Sequence, residues 1–349
     1  MKFTKLLGLS AAAMLWASGS FAQEITLKLH HFLGAKAPVQ TQMLEPWAKR
    51  VEELSNGKVK IDIYPAMTLG GRPPELVQQA RDGVVDLIWT LNGYTPGLFP
   101  RTEVFELPTV FNNDPAATNL AMRDMFDKEL KQEYEDKGLE VMFLHAHAGN
   151  GIHTVDTPVH SPADVKGMKL RTPSRTGAWV IEALNAQPVA MPVPELPQAL
   201  SKKVVDGALI PWEIIPALKL QQQTQYQIEG QDHWRLGTSI FQVSMNKAKW
   251  DSLPDDVKAA FRKASDEAWL KQVGDIWRTS DNNGIKAAEA DGNELITLSA
   301  DETQAFKDAM QPVVTRWEDE VKGQGIDGPA LVKEARELTA EEEKNLASQ

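Results

Sequence analysis

A short helix-then-strand unit that occurs twice constrains this chain more than any other feature. Residues 74–86 (PELVQQARDGVVD) and 194–206 (PELPQALSKKVVD) carry Pro, Glu, Leu, Gln, Val, Val and Asp at matched positions. In each copy a proline opens a short helix, a polar turn follows, and Val-Val-Asp leads into an apolar strand. A tryptophan follows each copy, Trp89 in one and Trp212 in the other. Such a duplicated unit predicts two similarly built lobes that present equivalent strand ends to a shared cleft.

The flanking segments extend that pattern. Residues 25–29 alternate as a strand that ends at His30, His31 and Phe32, and 59–64 alternate again. Between them Met43, Leu44, Trp47, Val51 and Leu54 mark one face of a helix stopped by Asn56-Gly57. A helix is expected over 75–81 and a strand over 84–89. A second series starts with an apolar strand near 139–145. It continues through a strand ending at Arg171, a helix around 178–184, a strand at 188–191, a helix over 195–203 and a strand over 205–210. Strands alternating with helices predict an α/β sheet rather than a sandwich or a bundle. From Leu253 onward the pattern is helical: a long amphipathic stretch over 255–288, a helix cap at Ala300-Asp301-Glu302-Thr303 before 306–321, and an acidic tail from Leu338 expected to be loosely docked.

Residues 1–22 read as a secretory signal peptide. Lys2 and Lys5 precede an apolar run from Leu6 to Trp16, and Ser20-Phe21-Ala22 offers a small-x-small cleavage site before Gln23. The run is too short to span a bilayer, so an exported periplasmic product is expected. The 349 residues contain no cysteine, which excludes thiolate metal sites, iron–sulfur clusters and a cysteine nucleophile. The formal charge is −11 with no basic stripe, so nucleic acid is not an expected partner. An anionic ligand would need a specific buried cation to hold it.

Several chemical-looking signals have plainer readings. Gly323-Gln324-Gly325-Ile326-Asp327-Gly328 matches a dinucleotide fingerprint literally, but what precedes it reads as a helix end rather than a strand, so a capping loop is expected. His145 and His147 share one face of a strand, with His153 and His160 nearby, yet no cysteine or acidic ligand accompanies them; no metal and no cofactor are expected. There is no nucleophile elbow and no phosphate-binding loop. No catalytic carboxylate pair stands out.

Lys166-Gly167-Met168-Lys169-Leu170-Arg171-Thr172-Pro173 places an arginine at the end of a short strand, where α/β proteins bind ligands. Its planar fork suits a carboxylate through two parallel hydrogen bonds, although a surface arginine paired with one of the many acids has the same spacing.

A run of motifs bears on that choice: Ser55-Asn56-Gly57-Lys58-Val59, Leu69-Gly70-Gly71, Gly83-Val84-Val85-Asp86, Phe105-Glu106-Leu107-Pro108, the Lys166 to Arg171 segment, Val204-Val205-Asp206-Gly207 and Ser244-Met245-Asn246. In this order across nearly the whole chain they resemble the solute-binding subunits of tripartite ATP-independent periplasmic (TRAP) transporters, of the DctP-like type. The resemblance implies an α/β, two-lobed periplasmic binding protein (type II-like) with a ligand cleft between lobes and a helical C-terminal region. It implies a monomer that captures a small organic anion, clamps its carboxylate with Arg171, and hands it to one small and one large membrane subunit. The expected division is 23–148 plus about 239–275 for one lobe and 149–238 plus about 276–349 for the other.

Other positions carry over from the resemblance as pocket-lining: Ser174, residues 210–213 including Glu213, Trp89 to Asn92, and Phe241. Two departures bear on the ligand. A second arginine of sialic-acid-binding members is replaced here by Gly149-Asn150-Gly151-Ile152-His153, and an expected asparagine by Ile210-Pro211-Trp212. Both argue against a sugar acid and for a flatter, less polar guest walled by Trp89, Trp212, Phe241 and Phe32. His31, His147 and Asn92 are the candidates for hydrogen bonds to it. The competing readings are a C4-dicarboxylate or sulfonate receptor of the same family, and a periplasmic hydrolase or lyase on the same scaffold.

Overall fold

The computed structural model describes residues 25–348, so the signal segment expected at 1–22 lies outside the described residues. The chain builds two mixed sheets. The first contains β1 (Ile25–His31), β2 (Val59–Tyr64), β3 (Leu87–Leu91), β4 (Leu139–Ala146) and β10 (Ile240–Asn246). The second contains β5 (Gly151–Thr154), β6 (Lys169–Thr172), β7 (Gln187–Ala190), β8 (Gly207–Ile210), β9 (Tyr226–Glu229) and β11 (Glu294–Thr297). Their orders are β2-β1-β3-β10-β4 and β11-β9-β5-β8-β6-β7. β3, β4 and β8 are buried along their whole length, as strands covered on both faces must be, which is why they read as apolar runs rather than as alternation.

The duplicated unit folds the same way twice. A single 3-10 turn leads into helix Leu76–Arg81 in one copy and helix Leu196–Ser201 in the other, and each feeds a strand that pairs in parallel with its neighbour. The shared aspartates do the same work. Asp86 accepts the N–H of Lys28 and Asp206 that of Lys169, each at 2.8 Å, so each carboxylate pins the start of its strand to the next one. The first of these strands begins at Leu87 rather than 84, because residues 82–86 form the turn that leaves the helix.

The chain passes between the sheets at 147–150, at 230–239 and through 247–293. β10 thus returns from the second lobe and inserts antiparallel between β3 and β4 of the first. The amphipathic stretch expected over 255–288 is two helices, Asp255–Ala264 and Glu267–Ala290, broken where Asp266 caps the second. The longer helix touches both lobes. A Cβ on Gly274 would stand 2.5 Å from Ala116, and one on Gly284 would stand 2.0 Å from the Trp212 carbonyl oxygen, so both contacts require glycine.

Ser299 and Glu302 form a reciprocal cap on helix Ala300–Lys322. The glycine-rich 323–328 segment links that helix to the last one, Gly328–Ala347, whose first turn is capped by Asp327. The tail from Leu338 is therefore helical, not loose: Thr339 is buried and Asn112 donates to Glu343 at 2.6 Å. This last helix packs on helix Pro115–Met125, and Lys128 pairs with Glu334 at 3.0 Å. It lies against the first lobe, although the expected division gave 276–349 to the second. Among the described residues no helix is long and apolar enough to cross a membrane.

Candidate functional site

A cavity lies where the C-terminal ends of β3 and β6 face each other across the lobes, with about 520 Å³ free of protein atoms including its mouth. One wall is aromatic. Phe32 stacks on Trp89 with centroids 4.7 Å apart, Trp89 on Phe241 at 4.9 Å, and Trp277 from the long helix lies nearly parallel to Phe241 at 6.4 Å. His145 fills the stack from behind: its Nε2 accepts the Trp89 indole N–H at 2.9 Å, which fixes the plane of the indole.

Arg171 enters from β6 and is 2 % exposed. Its Nε donates to the Met191 carbonyl at 3.0 Å, which orients the guanidinium, while Nη2 is buried without a partner among the described residues. No carboxylate bonds to it. Burial pulls its pKa down, opposed mainly by the Tyr94 hydroxyl beside it. Tyr94 belongs to the other lobe, and its oxygen accepts the Val193 N–H at 2.8 Å. Other arginines near the lobes are already paired: buried Arg235 holds Glu229 and Asp281 (2.9 Å), and half-buried Arg175 holds Glu103 at 2.6 Å.

Asn150 Oδ1, Glu213 Oε2, Ser239 Oγ and Trp277 Nε1 also line this cavity, buried and without a partner among the described residues. Buried polar groups are almost always paired, so with Arg171 Nη2 these atoms leave five unmet hydrogen-bonding positions around one cavity. His147 adds a donor. Its Nδ1 accepts the Gly149 N–H at 2.9 Å, so in the neutral ring Nε2 carries the hydrogen. Burial, with His145, Arg171 and Arg235 nearby, lowers its pKa to about 3, so the ring is neutral.

The lobes touch around the site. A Cβ on Gly93 would stand 2.5 Å from the Ser174 Cβ, so glycine is required for this approach. Arg175 grips Glu103 through two hydrogen bonds from Nε at 2.8 and 3.0 Å and one from Nη2 at 2.6 Å. Thr176 donates to Glu106 at 2.5 Å, and Glu106 also accepts the N–H of Ile240 at 3.0 Å. The two lobes are thus in direct contact beside the cavity.

The family model for bacterial extracellular solute-binding proteins, family 7, matches residues 29–320. The chain belongs to this family. It is a TRAP solute-binding protein, and such proteins bind small organic anions and work with membrane subunits. It is similar to a marine metagenome TRAP protein specific for aromatic acid ligands, solved with 3-hydroxybenzoate: 38% identity, TM-score 0.88, covering 91% of this chain and 99% of that one. It is also similar to a TRAP protein from Rhodoferax ferrireducens solved with copurified benzoate: 36% identity, TM-score 0.89, covering 92% and 99%. The C4-dicarboxylate-binding periplasmic protein of Rhodobacter capsulatus is 28% identical over 88% of this chain and 91% of its own length. The two-lobed α/β fold expected from the motifs is thus the fold this family shares.

Of the side chains expected at the site, this TRAP protein brings Arg171, Trp89, Phe241, Phe32, His147 and Glu213 to the cavity. Four are elsewhere. Trp212 is fully buried away from the cavity, donating to Gln227 at 2.6 Å under the Arg235 guanidinium. In the duplicated unit it aligns with Asn92, not with Trp89, because it follows its Asp by three more residues. Asn92 bridges Tyr134 and Gln242, both at 2.7 Å. His31 is tied to Gln40 at 2.6 Å and to the Leu33 N–H, and its pKa is lowered to about 4, chiefly by burial. Ser174 caps helix Arg175–Ala183. His153 packs on Trp212, and its Nε2 donates to the Ile210 carbonyl at 3.0 Å. Tyr94, Asn150, Ser239 and Trp277 were not expected at the site. Asn150 and Ser239 share a readable signal, each being a polar residue in a short crossing between lobes.

Proposed function

We propose that this TRAP protein captures a small aromatic monocarboxylate, with Arg171 holding the carboxylate and the Phe32–Trp89–Phe241 stack holding the ring. The observation that carries this is Arg171 Nη2, buried beside a flat aromatic wall with no acid bonded to it. A carboxylate there accepts a charge-assisted bond from a pre-oriented guanidinium, roughly twice as strong as a neutral one. Micromolar to nanomolar capture needs about 8–12 kcal/mol, within reach of one such contact plus burial of a ring. The relatives solved with benzoate and 3-hydroxybenzoate support the same class. A C4-dicarboxylate would want a second free cation, and Arg235 is already held by two carboxylates.

The protein works as a binding component rather than as an enzyme, as a monomer in the periplasm after loss of residues 1–22. Its lobes divide at the crossings near 148 and 239, with the last helix returning to the first lobe. Ligand contacts from both lobes favour the closed form, which the membrane subunits would recognise. Titration calorimetry with aromatic acids tests the reading. Arg171→Ala is expected to weaken binding at least about 100-fold with an unchanged circular dichroism spectrum. Equal affinity in that variant, or turnover of the acid by the wild type, would overturn it.

A further inference from the structure

Arg171 and a ring wall account for only one polar end of the cavity. Glu213 stands in the same cavity, 7 % exposed, among Ile210, Pro211 and Ile214, with Oε2 unpartnered among the described residues. The cation nearest to it electrostatically is Arg235, which Glu229 and Asp281 already occupy. Burial, reinforced by Asp281, pushes its carboxyl pKa upward. Its free Oε2 shares the cavity with two further unpaired oxygens, Asn150 Oδ1 and Ser239 Oγ. An unsubstituted ring closed over these groups leaves them all without partners, at the full cost of desolvating them.

We propose that Glu213 is the specificity-determining residue of this cleft: its carboxyl bonds a hydroxyl borne by the ligand, so the cleft selects hydroxylated aromatic acids over unsubstituted ones. A hydroxyl matches because it can donate to the unpartnered Oε2 and still accept from a neighbour. This rests on the aromatic-acid reading above and adds to it which aromatic acids are preferred. Sites built to bond a substrate hydroxyl reject the analogue that lacks it far more strongly than apolar pockets reject an extra methylene.

Calorimetry with benzoate, the three hydroxybenzoates and 3-hydroxyphenylacetate tests it on the full mature chain. At least one hydroxylated acid should bind the wild type 10-fold or more tightly than benzoate. Glu213→Leu should weaken that acid at least 10-fold while tightening benzoate, because an apolar side chain then meets the bare ring. Glu213→Gln, which keeps an acceptor, should retain most of the preference. Measurable benzoate binding by Glu213→Leu shows that this variant is folded. The proposal fails if the wild type binds benzoate as tightly as every hydroxylated acid, or if Glu213→Leu shifts both affinities in the same direction, while aromatic-acid binding itself stands. Binding of no aromatic acid at all overturns both readings together.

Discussion

Trp89 and Phe241 lie face to face, centroids 4.9 Å apart and planes within 3°, although they stand on strands that run in opposite directions. The contact ties the ligand wall to the insertion of β10 beside β3. Phe241→Ala should weaken aromatic acids by roughly 10- to 100-fold, since it removes a ring face from the cavity. Small aliphatic carboxylates, which make less use of that face, should lose much less. Calorimetry with both classes in parallel separates a wall from a merely structural contact: an equal loss for both would contradict the wall.

Arg171→Lys should restore little of what Arg171→Ala loses. The guanidinium uses Nε on Met191 while leaving Nη2 for the ligand, and a lysine ammonium is a point charge that lacks this fork. Dissociation constants for the two variants are expected to agree within about 10-fold. A lysine variant close to wild type would show that charge alone suffices.

The Glu103–Arg175 pair joins the lobes, with Glu103 buried. Arg175→Ala leaves that carboxylate unpaired, a change that costs about 3–5 kcal/mol when a buried pair is broken. Opening the cleft hydrates it again. The ligand-free variant should therefore show a larger radius of gyration by small-angle scattering than the wild type, with at least 10-fold weaker apparent affinity. Adding Glu103→Gln should reverse part of both changes. An unchanged radius of gyration together with unchanged affinity would remove the pair from any role in closure.

Glu133 gives a pH test of the fold away from the cleft. Burial raises its pKa to about 7, despite hydrogen bonds from the N–H groups of Arg101 (2.8 Å) and Thr102 (2.9 Å). A carboxyl whose pKa rises on folding stabilises the fold fully below its unfolded value, near 4.5, and that contribution is lost as pH climbs through about 7. Glu133→Gln has no such loss. Its Tm relative to wild type should therefore improve by roughly 2–5 °C between pH 5 and pH 8. A constant difference across that range would mean Glu133 ionises in the fold as it does in water.

Much of this was readable in the chain, and the failures have physical causes. The duplicated unit is legible because the same prolines, apolar spacing and aspartates do the same local work in each lobe, as Asp86 and Asp206 show. Arg171 is legible because a strand end is a position that sequence patterns reveal. Asn92 and His31 are misread because their partners are set by tertiary packing: Gln242 reaches Asn92 from 150 residues away. Trp212 is misread because its presence near the unit masks a difference in offset. Trp277 lies within an amphipathic helix, where an aromatic at helical spacing looks the same whether it faces a core or a cavity.

Because β10 completes the first sheet only after the whole second sheet except β11 has been laid down in sequence, the lobe begun first is finished late. A polypeptide arrested short of Ile240 would leave β3 and β4 with bare edges toward each other, an invitation to pair with another nascent molecule.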